Sequence, residues 1–285
     1  MTADKSDLPF SQFKTMNCRG RLVGLTTPKI MGILNLTPDS FSDGGNFNTE
    51  KAALIQSEKM IEEGATIIDV GAQSTRPKAQ LLTSAEEISR IGSIISKIKE
   101  EYPTVLISLD TFYADTVQFG FDQGIDLVND ISGGMYDDNT FETVGNTGLP
   151  YVLMHVNPTY ESMHEKLIQK DIILNMNYYF SEKIQQLRSF GIKDIILDPG
   201  FGFGKTVEQN HQIINELEAI SFGQYPLLAG ISRKSFIYRP LGKSPLMIEE
   251  ETQKLHLQLL SNGAKILRVH DVAATKKTIN LFLEN

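Results

Sequence analysis

Asp194-Ile195-Ile196-Leu197-Asp198-Pro199-Gly200-Phe201-Gly202-Phe203-Gly204-Lys205-Thr206 joins a short β-branched run, a carboxylate and a glycine-rich turn. Ile195 to Leu197 read as a strand buried on both faces, so Asp198 sits where that strand opens into the turn. The turn nearly spells the phosphate-cradling pattern G-x-x-x-x-G-K-[ST]. The position five before Gly204 is Pro199, however, which fixes φ and has no N–H to offer. ATP binding is therefore the wrong first reading, and the feature to follow is an acid at the C-terminal tip of a strand.

The same arrangement recurs along the chain. Apolar runs stand at Ile30 to Leu34, Ile67 to Val70, Leu106 to Leu109, Leu127 to Val128, Tyr151 to Met154, Ile195 to Leu197, Leu227 to Leu228 and Ile266 to Leu267. Between most of them lie segments of helical periodicity, such as Glu50 to Glu63, Ser84 to Glu101, Asp171 to Phe190, Glu208 to Ile220 and Glu249 to Ser261. Thr83 to Glu87 supplies a capping box, and Gly64, Gly191 and Gly263 stand where helices should stop. Eight strand–helix units in ~250 residues is the size of an α/β (β/α)8 TIM barrel, and one such barrel over 30–285 is the expected architecture. Periodicity alone also permits an open doubly wound sheet. Residues 1–29 form an N-terminal extension in which Asn17 to Leu25 can make a short hairpin around Arg19-Gly20, covering the barrel bottom.

Composition bounds the class. With 285 residues, 41% hydrophobic and 22% charged, the chain is long enough for a sizeable core. The single cysteine, Cys18, excludes an internal disulfide framework, and no run approaches the ~20 apolar residues that span a bilayer. Met1 to Asp7 is polar and acidic, unlike a secretory signal, so a cytoplasmic protein with no membrane partner is expected. A net charge of −8 argues against a nucleic-acid partner.

In a barrel the active site is built at the C-terminal strand ends, and here nearly every run ends in chemistry-bearing residues. The first run leads into Asn35 and the Thr37 to Gly45 loop, the second into Gly71 to Pro77 and the third into Asp110-Thr111. The later runs end at Asn129-Asp130, His155, Asp198, Ser232 to Ser235 and Arg268 to Asp271. Taken singly, Asp110 reads as a helix N-cap, Asn129 and Asp130 as turn residues, His155 as a core histidine and Lys205 as a solvated loop charge. Together, eight polar tips on one rim read as a site. Asp110, Asn129 and Asp198 would accept the paired N–H groups of a flat heterocycle. Lys234, Arg268 and His270 form a phosphate-binding group, at the loops where barrels often bind phosphate. A ring-bearing phosphate ester fits both.

Met31-Gly32-Ile33-Leu34-Asn35-Leu36-Thr37-Pro38-Asp39-Ser40-Phe41-Ser42-Asp43-Gly44-Gly45, together with Asp198 to Lys205, Ser232 to Ser235 and Arg268 to Asp271, resembles the dihydropteroate synthases. The likeness runs from about Asn17 to Val272. It implies a transferase of folate biosynthesis, on a (β/α)8 barrel, that joins 6-hydroxymethyl-7,8-dihydropterin pyrophosphate to p-aminobenzoate and releases pyrophosphate. By resemblance, Asp110, Asn129 and Asp198 hold the pterin, Lys234 reaches its ring, and Arg268 and His270 bind the anion, with Thr75 also on the pterin pyrophosphate. Thr75, Arg76, Pro77, Phe203 and Ser235 match positions around p-aminobenzoate, and Asn35 matches the ligand of a Mg2+ ion. Lys234, Arg268 and His270 are the expected catalytic residues, and a homodimer is implied. The chain departs from the family pattern at Gln73, at Lys78 and through Met247 to His256. The alternative is another pterin-binding barrel, such as a methyltetrahydrofolate-dependent methyltransferase domain, which needs no pyrophosphate site.

Overall fold

The structure, a computed structural model, describes residues 15–37, 45–73, 81–156, 171–220 and 222–284. Strands β1 (Thr15–Cys18) and β2 (Arg21–Gly24) form an antiparallel hairpin. Then follow β3 (Lys29–Asn35), β4 (Ile67–Gly71), β5 (Leu106–Asp110), β6 (Leu127–Asp130), β7 (Tyr151–Met154), β8 (Ile195–Asp198), β9 (Leu227–Ala229) and β10 (Ala264–Val269). These eight are the eight apolar runs. They are parallel, each pairs with the next, and β10 pairs back onto β3, which decides for a closed barrel over an open sheet. The helices between them are α1 (Gly45–Glu62), α2 (Ser84–Ile91), α3 (Ile94–Glu101), α4 (Ala114–Gln123) and α5 (Thr140–Thr147). The second half adds α6 (Ile172–Ser189), α7 (Val207–Asn215), α8 (Ser235–Tyr238), α9 (Glu249–Ser261) and α10 (Val272–Glu284).

The segment expected as one helix over Ser84 to Glu101 is two. The Thr83–Glu86 capping box starts α2 as expected, but Gly92 takes φ +50° and turns the chain before α3 resumes the same apolar face. Gly64, Gly191 and Gly263 all have positive φ where the helices before them end, the backbone state that glycine adopts without strain.

Each barrel strand is buried on both faces, and alternate residues divide the two cores. Residues facing the helices, such as Ile68, Val70, Ile107, Leu109, Leu153 and Leu197, join the large outer cluster. One inward residue from every strand, Met31, Ile67, Leu106, Leu127, Val152, Ile196, Leu228 and Ile266, forms an apolar floor inside the barrel. The hairpin completes this floor with Met16, Cys18 and Leu25. Its turn has φ +53° at Arg19 and +84° at Gly20, the two positive values of the tight hairpin turn that matches strand twist. Arg19 Nη1 donates to the Phe121 carbonyl at 3.1 Å and its guanidinium lies over the Phe121 ring, while Arg21 Nη1 donates to the Thr104 carbonyl at 3.0 Å. Burial pushes the Cys18 thiol up to about 12, so it serves as a small apolar side chain. Met16→Ala should cost about 2–5 kcal/mol in urea unfolding, as for other fully buried methionines, whereas Leu22→Ala at the exposed edge should cost less than about 0.5 kcal/mol. Equal losses would show that the hairpin does not seal the floor.

Candidate active site

Above the floor, the inward phase of the strands turns polar. Two residues on from Ile67, Leu106, Leu127, Ile196 and Ile266 stand Asp69, Ser108, Asn129, Asp198 and Arg268. One step further come Gly71 on β4, Asp110 on β5 and His270 just beyond β10. Strand register places Asn35, Gly71, Asp110 and Asn129 side by side across β3 to β6. A Cβ on Gly71 would come within 3.2 Å of the Asp110 Cβ, so glycine makes room for that carboxylate.

Arg268 is the hub. Its Nε donates to Asp69 Oδ2 at 2.6 Å and its Nη2 to Asp110 Oδ2 at 2.7 Å. Burial opposes the guanidinium charge, but Asp69 and Asp110 more than offset it and hold the proton on. Asn129 Nδ2 donates to Asp69 Oδ2 at 3.2 Å, so Asp69, fully buried, anchors two neighbours. Burial pushes the Asp110 carboxyl up; Arg268 pulls against it, while Asp69 and Glu87 add to the rise. Asp198 is likewise pushed up by burial, opposed by the Gly200 N–H at 2.7 Å and by Lys234 and Arg268.

Lys234 lies with Nζ 3.8 Å from the centre of the Phe203 ring, a cation–π contact, and burial together with Arg268 lowers its pKa to about 8. His270 accepts or donates at Nδ1 with Ser232 Oγ at 3.1 Å. Burial, then Arg233, Arg268 and Lys234, lower its pKa to about 3, so the imidazole is neutral at pH 7. Asn35 is half-buried at the tip of β3, and Ser235, also half-buried, opens α8. Thr75, Arg76 and Pro77 lie outside the described residues, as do Pro38 to Gly44 and Lys78.

Some single-residue readings change in this setting. Asp110 is no N-cap, because α4 starts at Ala114 with Tyr113 at its cap position, and the carboxylate binds Arg268 instead. Asn129 is no turn residue, since its amide reaches Asp69. Asp130 is one, accepting from the Ser132 and Gly134 N–H groups and from the Tyr151 hydroxyl. His155 is a buried core histidine against Asn175 and the Tyr179 ring. Lys205 is not solvated: it is buried among main-chain carbonyls. Nor do acids and cations form two separate groups, for Arg268 crosses between them.

Residues 31–270 match the model of the pterin-binding enzyme family. The chain is 37% identical over 264 residues to a dihydropteroate synthase of Streptococcus pyogenes, covering 91% of this chain and 96% of that one. It is 38% identical over 264 residues to that of Haemophilus influenzae, covering 92% and 95%. Among solved structures, the Xanthomonas albilineans dihydropteroate synthase with 4-aminobenzoic acid superposes at a TM-score of 0.88, with 32% identity over 95% of this chain and 97% of that one. The same enzyme solved with 7,8-dihydropteroate gives 0.84, with 31% identity over 95% and 98%. The chain belongs to the dihydropteroate synthase family.

As a dihydropteroate synthase it is a transferase of folate biosynthesis. The residue that sequence reading passes over in this site is Asp69. Its signal is present but hidden: it sits inside the run Ile67 to Val70 rather than at its tip, yet it shares the inward phase of Gly71. Removing one partner of a buried ion pair leaves the other uncompensated, so Asp69→Asn should lower unfolding free energy by about 3 kcal/mol in chemical denaturation. A loss below about 1 kcal/mol would mean that Asp110 alone suffices to hold Arg268.

Proposed function

We propose that the barrel mouth divides between the two substrates, with Asp110, Asn129 and Asp198 holding the dihydropterin and Phe203, Ser235, Thr75, Arg76 and Pro77 lining the p-aminobenzoate position. The observation that carries this is the Asp110–Arg268 pair. Asp110 already accepts from a guanidinium, whose forked N–H edge has the shape and donor pattern of the pterin's amino-pyrimidine edge. Lys234 lies between Phe203 and the acids, within reach of a ring held by them.

Departure of pyrophosphate leaves positive charge on the pterin methylene and negative charge on the leaving group. Asp110 and Asp198 suit the first, while Arg268, Lys234 and Thr75 suit the second. His270, neutral at pH 7, takes part as a hydrogen-bond donor rather than as a cation. The arylamine of p-aminobenzoate carries a free lone pair, so the site needs no strong general base and works by positioning and electrostatics.

Among the described residues no cluster of three His, Cys, Asp or Glu could hold a metal unaided. Mg2+ keeps several waters and relies on substrate phosphates more than on a protein cage, so Asn35, a neutral amide, would add one oxygen to an ion arriving on the pyrophosphate. Bound there, Mg2+ would neutralise charge developing on the leaving group. Among the described residues no helix is long and apolar enough to cross a membrane. A homodimer in the cytoplasm completes the reading.

The deciding assay is pyrophosphate release. It should require both the pterin pyrophosphate and p-aminobenzoate, and Asp110→Asn should lower kcat/KM roughly 100-fold while the circular dichroism spectrum stays as in the wild type. Release without p-aminobenzoate, or none with both, would reject the assignment. Lys234 is charged below its pKa of about 8 and neutral above it, so kcat/KM for the pterin pyrophosphate should fall as pH rises through that value. Lys234→Arg, charged throughout, should remove that limb; a limb that persists would belong to another group.

A further inference from the structure

Lys205 makes the turn after β8 look like a phosphate loop, yet its ammonium is already fully engaged. The residue is 5% exposed, and Nζ donates to the carbonyls of Gly200 at 2.9 Å, Phe203 at 3.1 Å and His155 at 3.4 Å. An ammonium has three N–H donors and here finds three acceptors, so none is left for a phosphate oxygen. Two acceptors belong to the turn and the third follows β7, so the lysine ties the turn to the neighbouring strand. Gly200, Gly202 and Gly204 all take positive φ, and a Cβ on Gly200 would meet the His155 carbonyl at 2.3 Å and Lys205 Nζ at 3.3 Å. Glycine is what lets the carbonyls and the ammonium converge. The turn begins at Asp198 and contains Phe203, beneath Lys234.

We infer that Lys205 is a positioning residue for the transfer reaction: its ammonium holds the Gly200–Phe203 turn in one arrangement, setting Asp198 and Phe203 in place without touching either substrate. This rests on the proposed roles of Asp198 and Phe203. The charged or titratable groups around it are Asp198 from β8, Lys234 from the loop after β9 and His155 from the end of β7. Burial lowers the Lys205 pKa to about 7, with Asp198 opposing and Lys234 adding. Above that pH a lone pair replaces one donor within a ring of carbonyl oxygens, and the staple loosens.

The test compares wild type with Lys205→Met by hydrogen exchange and by kinetics at several pH values. In the variant the amides of residues 200–204 should exchange roughly tenfold faster while those of β8 stay unchanged. At pH 6 its KM for p-aminobenzoate should rise roughly tenfold or more, the scale expected when a pocket wall shifts. In the wild type that KM should climb between pH 6 and pH 8, and in the variant it should be high and flat. Exchange and KM both within about twofold of wild type would overturn the inference, and so would a raised KM with unchanged exchange, which would make Lys205 a substrate ligand. If the wild type releases no pyrophosphate, the substrate assignment fails, while the exchange result still decides whether Lys205 holds the turn.

Discussion

A guanidinium in the interior of a protein must be met by acceptors, and Arg268 meets its acceptors on two different strands across the barrel, Asp69 on β4 and Asp110 on β5. Those carboxylates are costly to bury without it, so the three groups are stable only together. Much of the mouth follows from that condition. Asn129 is oriented by Asp69, Gly71 leaves space for Asp110, and Lys234 is pulled toward neutrality by burial and then by the same positive charge. The floor below is apolar and the rim above is ionic. The boundary between them falls at the same inward step on most of the strands.

The fold was readable because strands buried on both faces favour apolar residues at most positions, which leaves eight largely apolar runs in the sequence. Closure was not readable, since pairing of β10 with β3 is a long-range contact that no local pattern encodes. The break at Gly92 was hidden for a related reason: α2 and α3 keep one apolar face, so the helical period continues through the turn.

The polar residues that gather at the barrel mouth were readable where polarity interrupts an apolar run at its end, as at Asp110, Asn129, Asp198 and Arg268. Asp69 escaped because it interrupts a run from within, where a lone acid looks like noise until the two-residue phase is known. Lys205 escaped because burial of a lysine depends on where neighbouring carbonyls point, and here they come both from the glycine-rich turn and from His155 after β7, a convergence that no local pattern encodes. The neutrality of His270 is not legible in the sequence, since it comes from burial and from the cations Arg233, Arg268 and Lys234 nearby.

The hairpin under the barrel joins parts of the chain that are made at very different times. Asn17 donates its N–H to Asp194, Arg19 holds the end of α4, and Met16 and Cys18 join the buried cluster that also contains Leu228 and Ile266. During synthesis from the N-terminus, β1 and β2 emerge long before the strands that carry Leu228 and Ile266. Until those partners are made, the apolar inner face of the hairpin has no barrel to cover, so its pairing with the floor is among the most non-local contacts of the fold.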